Sequence, residues 1–316
     1  MEPIQRSDAR LAKFGICYSH IHGRGMETRQ PPRGYREISG YAAGVIRRMP
    51  NLFAQMHKII YRRIRYTVTR PKPPKTSVPL AGPVVVVGSA PVSNKPVGFD
   101  ETYRIISVNA SQIAVHAWGI DEPDITLMGF NELQGGNTAA VETRRVLTGH
   151  RTGALYVLTW RRGQKRQARV KNNLNSFNYS YRELHLVGRY QRIALMHKAS
   201  GLVNLELDAE TKCSNGMIAV LFALYNGAGA VIITGINPHS NGHIYNSANL
   251  TRKHTRFDRE ILIRLLRQGY PIYTADAQVS EEVGLPLWQG QRTEDQAGAI
   301  STDNSQQRSF PACQSR

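Results

Sequence analysis

The sequence predicts an α/β fold with a Rossmann-like, mostly parallel sheet, and three observations carry that expectation. Short apolar runs recur along the chain: VVVVG at 84–88, RIISVNAS at 104–111, DITLMGF at 124–130, ALYVLTW at 154–160 and AVIITGI at 230–236. Largely continuous apolarity of this kind belongs to strands buried on both faces. Helical segments lie between the later runs, and such alternation argues for a sheet covered on both sides. Finally, 316 residues at 41% hydrophobic and 20% charged suit one large domain or two modest ones, and are too apolar for a disordered chain.

Residues 1–40 contain GRG and QPPRG, lack long apolar runs and read as mostly irregular. IRRMPNLFAQMHKIIYRRIRYTV spaces Phe53, Met56, Ile60 and Ile64 at helical intervals beside Arg62, Arg63 and Arg65, with Pro50 near the first turn. Two readings stay open for this basic amphipathic helix: it lies on an anionic bilayer, or it packs on the main domain with a solvated basic face. PKPPKTSVPLAGP is a stiff, non-helical connector. After the first four strands, RRGQKRQARVKNNLNSFNYSYREL reads as a polar connection or a mobile surface element, and IALMHKASGLVNLELD is ambiguous between helix and strand. SNGMIAVLFALYNGA reads as a buried helix capped at Ser214 or Asn215. RFDREILIRLLRQG is amphipathic through Ile261, Leu262, Leu265 and Leu266, and PIYTAD is a short last strand. The tail from Gln289 has a disordered composition. The expected organisation is a basic extension over 1–80, a ligand-binding domain over 81–288 with a basic insertion around 141–200, and a tail over 289–316.

Charge narrows the partners. The 41 Lys and Arg against 23 Asp and Glu leave a formal +18. Residues 1–80 carry +12 and 141–200 carry +11, whereas 81–140 and 201–316 come to −4 and −1. Polyanion binding must therefore rest on two segments, and neither carries a recognisable nucleic-acid motif. Three scattered cysteines, Cys17, Cys213 and Cys313, exclude a disulfide framework and a CxxC knuckle. No run of eighteen apolar residues predicts a membrane span, and Met1 to Ser19 lacks the apolar centre of a signal peptide, so a cytoplasmic protein is expected.

In a doubly wound sheet, ligands sit beyond the carboxyl ends of the strands. That rule gathers Gly88, Ser89, Asn109, Gly129 and Gly235 around one crevice. The GSAPVS turn matches neither GxGxxG nor GxxxxGK[ST]; it is a plain tight turn or a close backbone approach to a phosphate or sugar. Asn109 can read a base or ribose with its amide, or close its own turn. Capping accounts for one of Ser214, Asn215 and Gly216, and the three together favour an anionic ligand at a helix N-terminus. The loop INPHSNGHIYNSANLTRKHTRFDRE concentrates His239, His243, Tyr245, Lys253 and His254 at the expected active edge. His254 precedes a helix with Asp258 four residues on, and an imidazole there can take a proton at neutral pH. Zinc on His239, His243 and His254 is the weaker use, since SNG disfavours a helix and HExxH is missing. A GxSxG elbow is also missing, which excludes that serine hydrolase class. No DxD pair is present, so the expected site holds no metal and relies on hydroxyls, amides and helix N–H groups.

Over Pro83 to Trp288 the chain resembles the bacterial sialyltransferases related to the lipooligosaccharide α2,3-sialyltransferases, and more distantly the animal enzymes. The resemblance rests on VVVVGSAPVS, ISVNAS, SNGMIAVLFAL, GINPHSNGHIYN and KHTRFDREILIRLL in that order. It implies a GT-A-like variant of the Rossmann-like sheet with a small lid or insertion. It also implies inverting, metal-independent transfer of sialic acid or a related keto-acid sugar from a CMP-sugar donor to a glycan or glycolipid hydroxyl. The donor would be CMP-sialic acid or CMP-Kdo, with no further cofactor, and the setting lipopolysaccharide or capsule synthesis on the inner face of a membrane. His254 then becomes the catalytic base. Gly88, Ser89, Asn109, Ser214, Asn215 and Gly216 become donor contacts, with His239 and Tyr245 at the phosphate. Two departures stand out: Ser89 replaces a common Asn, and His239 replaces the first phosphate-binding tyrosine. The alternatives are a polyanion- or nucleic-acid-binding protein, and an inactive, membrane-associated relative.

Overall fold

The computed structural model describes residues 53–160, 163–208, 210–239, 242–245 and 254–291. The chain divides into two units, Met1–Ala54 and Gln55–Arg316. Apart from residues 53 and 54 of the leading helix, which fall in the first unit, the described strands and helices belong to the second. The readings of the first forty residues, of Pro50 and of the far tail lie outside the described residues.

Seven parallel strands form one sheet in the order β5-β4-β3-β2-β1-β6-β7. They are β1 (Pro83–Val87), β2 (Arg104–Val108), β3 (Ile125–Gly129), β4 (Arg151–Leu158), β5 (Ser180–Val187), β6 (Ala230–Thr234) and β7 (Ile272–Thr274). The helices are α1 (53–69), α2 (Gln112–Ala117), α3 (Phe130–Gln134), α4 (Thr138–Leu147), α5 (Gln164–Ser176), α6 (Arg189–Ser200), α7 (Asn215–Tyr225), α8 (Thr255–Arg267) and α9 (Ala277–Val283). The expected Rossmann-like parallel sheet is what the chain builds.

Strand side chains alternate between two covered faces. Val84, Val86, Ile106, Leu127 and Ile233 meet Met217, Leu221, Leu262 and Leu265 of α7 and α8. On the other face, Met128, Leu155 and Val157 meet Leu147, Val170 and Leu174 of α4 and α5, while Val85 and Val87 pack with Val115 of α2. α7 is apolar all round because sheet and helices enclose it, leaving Met217 to Ala223 buried. Each such Leu, Ile or Phe contributes about 1.5–3 kcal/mol. A row of buried hydroxyls crosses the second face: Ser107 Oγ lies 2.7 Å from Thr126 Oγ1, which donates to Thr152 Oγ1 at 2.9 Å. Their mutual bonding is what makes their burial tolerable.

Two segments differ from expectation. The polar stretch after β4 holds α5 and β5, because an outermost strand buries little and needs charges such as Arg182 and Glu183 to blunt its free edge. The first half of the ambiguous segment, 193–200, lies in α6, ended by Gly201 at φ +74°, and its second half, 201–208, is neither helix nor strand. α1 packs on the domain, but through its polar side. Arg62 is buried and donates to the carbonyls of Leu205, at 2.8 Å, and Glu206, and Lys58 donates to that of Leu207. Residues 205–207 offer these carbonyls, and the long, donor-only side chains of Lys58 and Arg62 reach all three from one helix face. The irregular connector after α1 is clamped by Asn226, whose Oδ1 accepts from Thr76 N at 2.9 Å and whose carbonyl accepts from Leu80 N at 2.8 Å.

Candidate functional site

Strand order reverses between β1 and β6, so the chain leaves neighbouring strands in opposite directions and a crevice opens at their carboxyl ends. Two glycines hold the two turns together there. Gly88 N–H donates to Thr234 O at 2.7 Å and Ala90 N–H to Gly235 O at 2.8 Å. A Cβ on Gly88 would fall on the Gly235 carbonyl oxygen and Ile236 Cγ1, both well inside 3.0 Å. Gly235 sits at φ +62°, where a side chain is strained. Gly88 thus acts by letting backbones meet. Asp276 seals the junction by accepting from Thr234 Oγ1 at 3.0 Å, Gly235 N–H at 2.9 Å and Asn94 Nδ2 at 2.8 Å. Burial pushes its carboxyl above the usual value against the pull of these donors.

A cavity of about 480 Å³ occupies the crevice, within the range of small-molecule sites. Its wall includes Gly88, Ser89, Asn109, Ser214, Asn215, Gly216, Tyr245 and His254. Asn109 has φ +53°, and its Oδ1 accepts from Gly129 N–H at 2.9 Å and from Asn215 Nδ2 at 3.3 Å. Its carbonyl oxygen therefore ties β2 to β3 and α7, and the amide nitrogen remains as a donor. Ser214 caps α7, its Oγ accepting from Met217 N–H at 3.1 Å. Capping uses that hydroxyl, while the N–H groups of Asn215 and Gly216 open the helix at the cavity wall, where an anion is favoured.

α8 also starts at the cavity, with His254 as its N-cap residue. Asp258, buried in its first turn, accepts from Ser214 N–H at 3.0 Å and so joins the two helix N-termini. Both His254 and Asp258 line the cavity. Tyr245 is buried and stacks on His243 at 5.2 Å between ring centroids. His243 Nδ1 lies 2.9 Å from Ser89 Oγ, and Ile244 N–H donates to Ser89 O at 3.0 Å, fastening this loop to the β1 turn.

His239 is the assigned residue that does not line the cavity. Asn237 Oδ1 accepts its N–H at 2.7 Å in a tight turn, which leaves His239 exposed. His243 takes the place beside Tyr245 instead. Glu132, Trp160, Arg192 and Lys212, which no sequence motif marks, also line the cavity. Burial pushes Glu132 above the usual carboxyl value, opposed by Thr143 and Arg144. Arg192 grips Glu206 through two bonds of 2.8 and 2.7 Å. Lys212 Nζ stands 4.9 Å over the Trp160 ring, and burial, then the Arg192 charge, holds it below the usual lysine value. Among the described residues, no group of three or more His, Cys, Asp or Glu is arranged to hold a metal ion.

No family model and no curated protein matches the chain. Among solved structures, the chain is similar to the sialyltransferase CstII from Campylobacter jejuni in complex with a substrate analogue, CMP-3FNeuAc. That overlay has 11% identity, covers 66% of this chain and 85% of that one, and has a TM-score of 0.41. The monofunctional α-2,3-sialyltransferase Cst-I from the same organism gives 14% identity, 66% and 80% coverage and a TM-score of 0.42. CST-II in complex with trisaccharide acceptor and CMP gives 11%, 67% and 89%, and 0.43.

Proposed function

We propose that the protein is an inverting glycosyltransferase that moves a keto-acid sugar from a CMP-linked donor to a glycan or glycolipid hydroxyl. The observation that carries this reading is the meeting of two helix N-termini, α7 and α8, with Asn109, Tyr245 and His254 around one cavity at the sheet's switch point. N–H groups at two helix starts suit a phosphate, and the Asn109 amide suits a pyrimidine edge or a ribose hydroxyl.

In the proposed reaction His254 takes the proton from the acceptor hydroxyl as its oxygen attacks the anomeric carbon. The new C–O bond forms while the bond to the phosphate oxygen breaks, and the electron pair leaves with CMP. Tyr245 donates to the phosphate as charge grows there, helped by the helix N–H groups. His239 has no part in this scheme, because it lies outside the cavity lining. The donor sugar is sialic acid or Kdo, both sharing the CMP leaving group. The test is a turnover assay on CMP-sialic acid and CMP-Kdo with and without a chelator. Release of CMP that the chelator leaves unchanged is expected. No release with either donor, or release only with added divalent metal, would refute the reading.

A further inference from the structure

The apolar side of α1 is exposed, turned away from the described residues of the second unit on which the helix packs. Met56, Ile60, Ile64 and Val68 recur every fourth residue with Tyr61 beside them, and their exposures run from 50% at Tyr61 to 75% at Val68. At about 100° per residue they share an arc of roughly 140°. Arg62, on the opposite side, is the buried anchor to the Leu205 and Glu206 carbonyls. The domain therefore fixes which way the helix faces, and it presents apolar side chains to water in a continuous stripe, where soluble proteins rarely do so. Arg63 lies about 20° beyond one edge of the arc and Arg65 about 40° beyond the other. Arg65 donates to the Tyr61 hydroxyl at 2.6 Å, placing its guanidinium along that boundary. Residues 53–80 contain seven Lys and Arg and no Asp or Glu.

We propose that α1 docks the protein on an anionic lipid bilayer, lying in the plane of the headgroups. An apolar arc bordered by cations and backed by a polar, anchored side is the pattern of a helix that sits at the headgroup boundary. The apolar residues enter the acyl margin, while Arg63, Arg65, Arg70 and Lys72 meet lipid phosphates. Among the described residues no helix is long and apolar enough to cross a membrane, so α1 lies on the surface. Charge argues against the other occupants. A second copy would bring the same cations against themselves across a two-fold axis. The chain's own residues 1–52 carry nine Lys and Arg against four acids, so they do not complement this face.

The test is sedimentation of the full chain with vesicles of phosphatidylcholine alone and of an equimolar phosphatidylcholine–phosphatidylserine mixture, alongside its oligomeric state without lipid. Binding to the mixed vesicles and little to the neutral ones is expected. Ile60→Asp with Ile64→Asp should weaken binding at least about 100-fold, with an unchanged melting temperature because both side chains are exposed. Arg63→Gln should weaken it about fivefold. Failure to bind the mixed vesicles, equal binding to neutral ones, or undiminished binding by the double variant would overturn the proposal. A lipid-free dimer that the double variant disperses would overturn it too, since a second copy would then cover the face.

Discussion

Replacing Gly88 with alanine tests whether direct backbone contact between β1 and β6 builds the cavity floor. Gly88 has no positive φ, so alanine can adopt its backbone and the cost is steric. The added Cβ meets the Gly235 carbonyl and Ile236 Cγ1 well inside 3.0 Å, and a backbone carbonyl cannot rotate out of the way. The strands must part where Gly88 N–H and Ala90 N–H hold Thr234 O and Gly235 O at 2.7 and 2.8 Å. Overpacking costs about 1–3 kcal/mol, and losing one of these buried bonds adds about 1 kcal/mol. The sum, about 2–4 kcal/mol, lowers the melting temperature by roughly 4–16 °C for a domain of this size. Urea unfolding followed by far-ultraviolet circular dichroism measures it, with two alanine controls. Gly136 has open space and no positive φ, so alanine there should be neutral or stabilising by up to about 1 kcal/mol. Gly82 has open space but φ +81°, and should cost about 1–2 kcal/mol from strain alone. A Gly88→Ala protein as stable as Gly136→Ala would mean that the two turns do not meet backbone to backbone.

Two further outcomes concern buried charge. Glu206 is the carboxylate that Arg192 grips, with Arg62, Arg189 and Lys212 close enough to influence the same cluster. Glu206→Ala leaves those cations uncompensated and should cost about 3–5 kcal/mol in urea unfolding; a loss below about 1 kcal/mol would contradict the arrangement. Asp276 is raised by burial from its usual 3.8, so the folded state holds its proton more tightly than the unfolded chain. Its contribution to stability is full below that usual value and is lost as pH rises through the raised one. Asp276→Asn should flatten the stability profile across that window, and a slope identical to the native protein's would argue against it.

Much of the fold was legible because strands buried on both faces must be apolar throughout. β1, β3 and β6 announce themselves that way, and α7 does so through its Ser214 cap. β5 escaped because an edge strand with Arg182 and Glu183 has little to bury, and its partner β4 lies some thirty residues back. At the site, strand ends and helix caps are local features, so Ser89, Asn109 and Ser214 could be found from sequence. Lys212, Arg192 and Trp160 meet only through tertiary packing, and their spacing carries no signal. His239 and His243 show the same limit. Both lie in a polar, imidazole-rich loop, and an Asn237 turn decides which of them lines the cavity. The orientation of α1 was also beyond the sequence, since amphipathicity gives two faces without saying which one the protein keeps.

The decisive measurement is the turnover of a CMP-linked keto-acid sugar by native protein and by His254→Ala, with CMP affinity measured calorimetrically on both. Turnover should fall at least about 100-fold, the usual reach of a general base, with CMP bound as before. A folded His254→Ala protein that turns the donor over at a near-native rate would remove His254 from the chemistry.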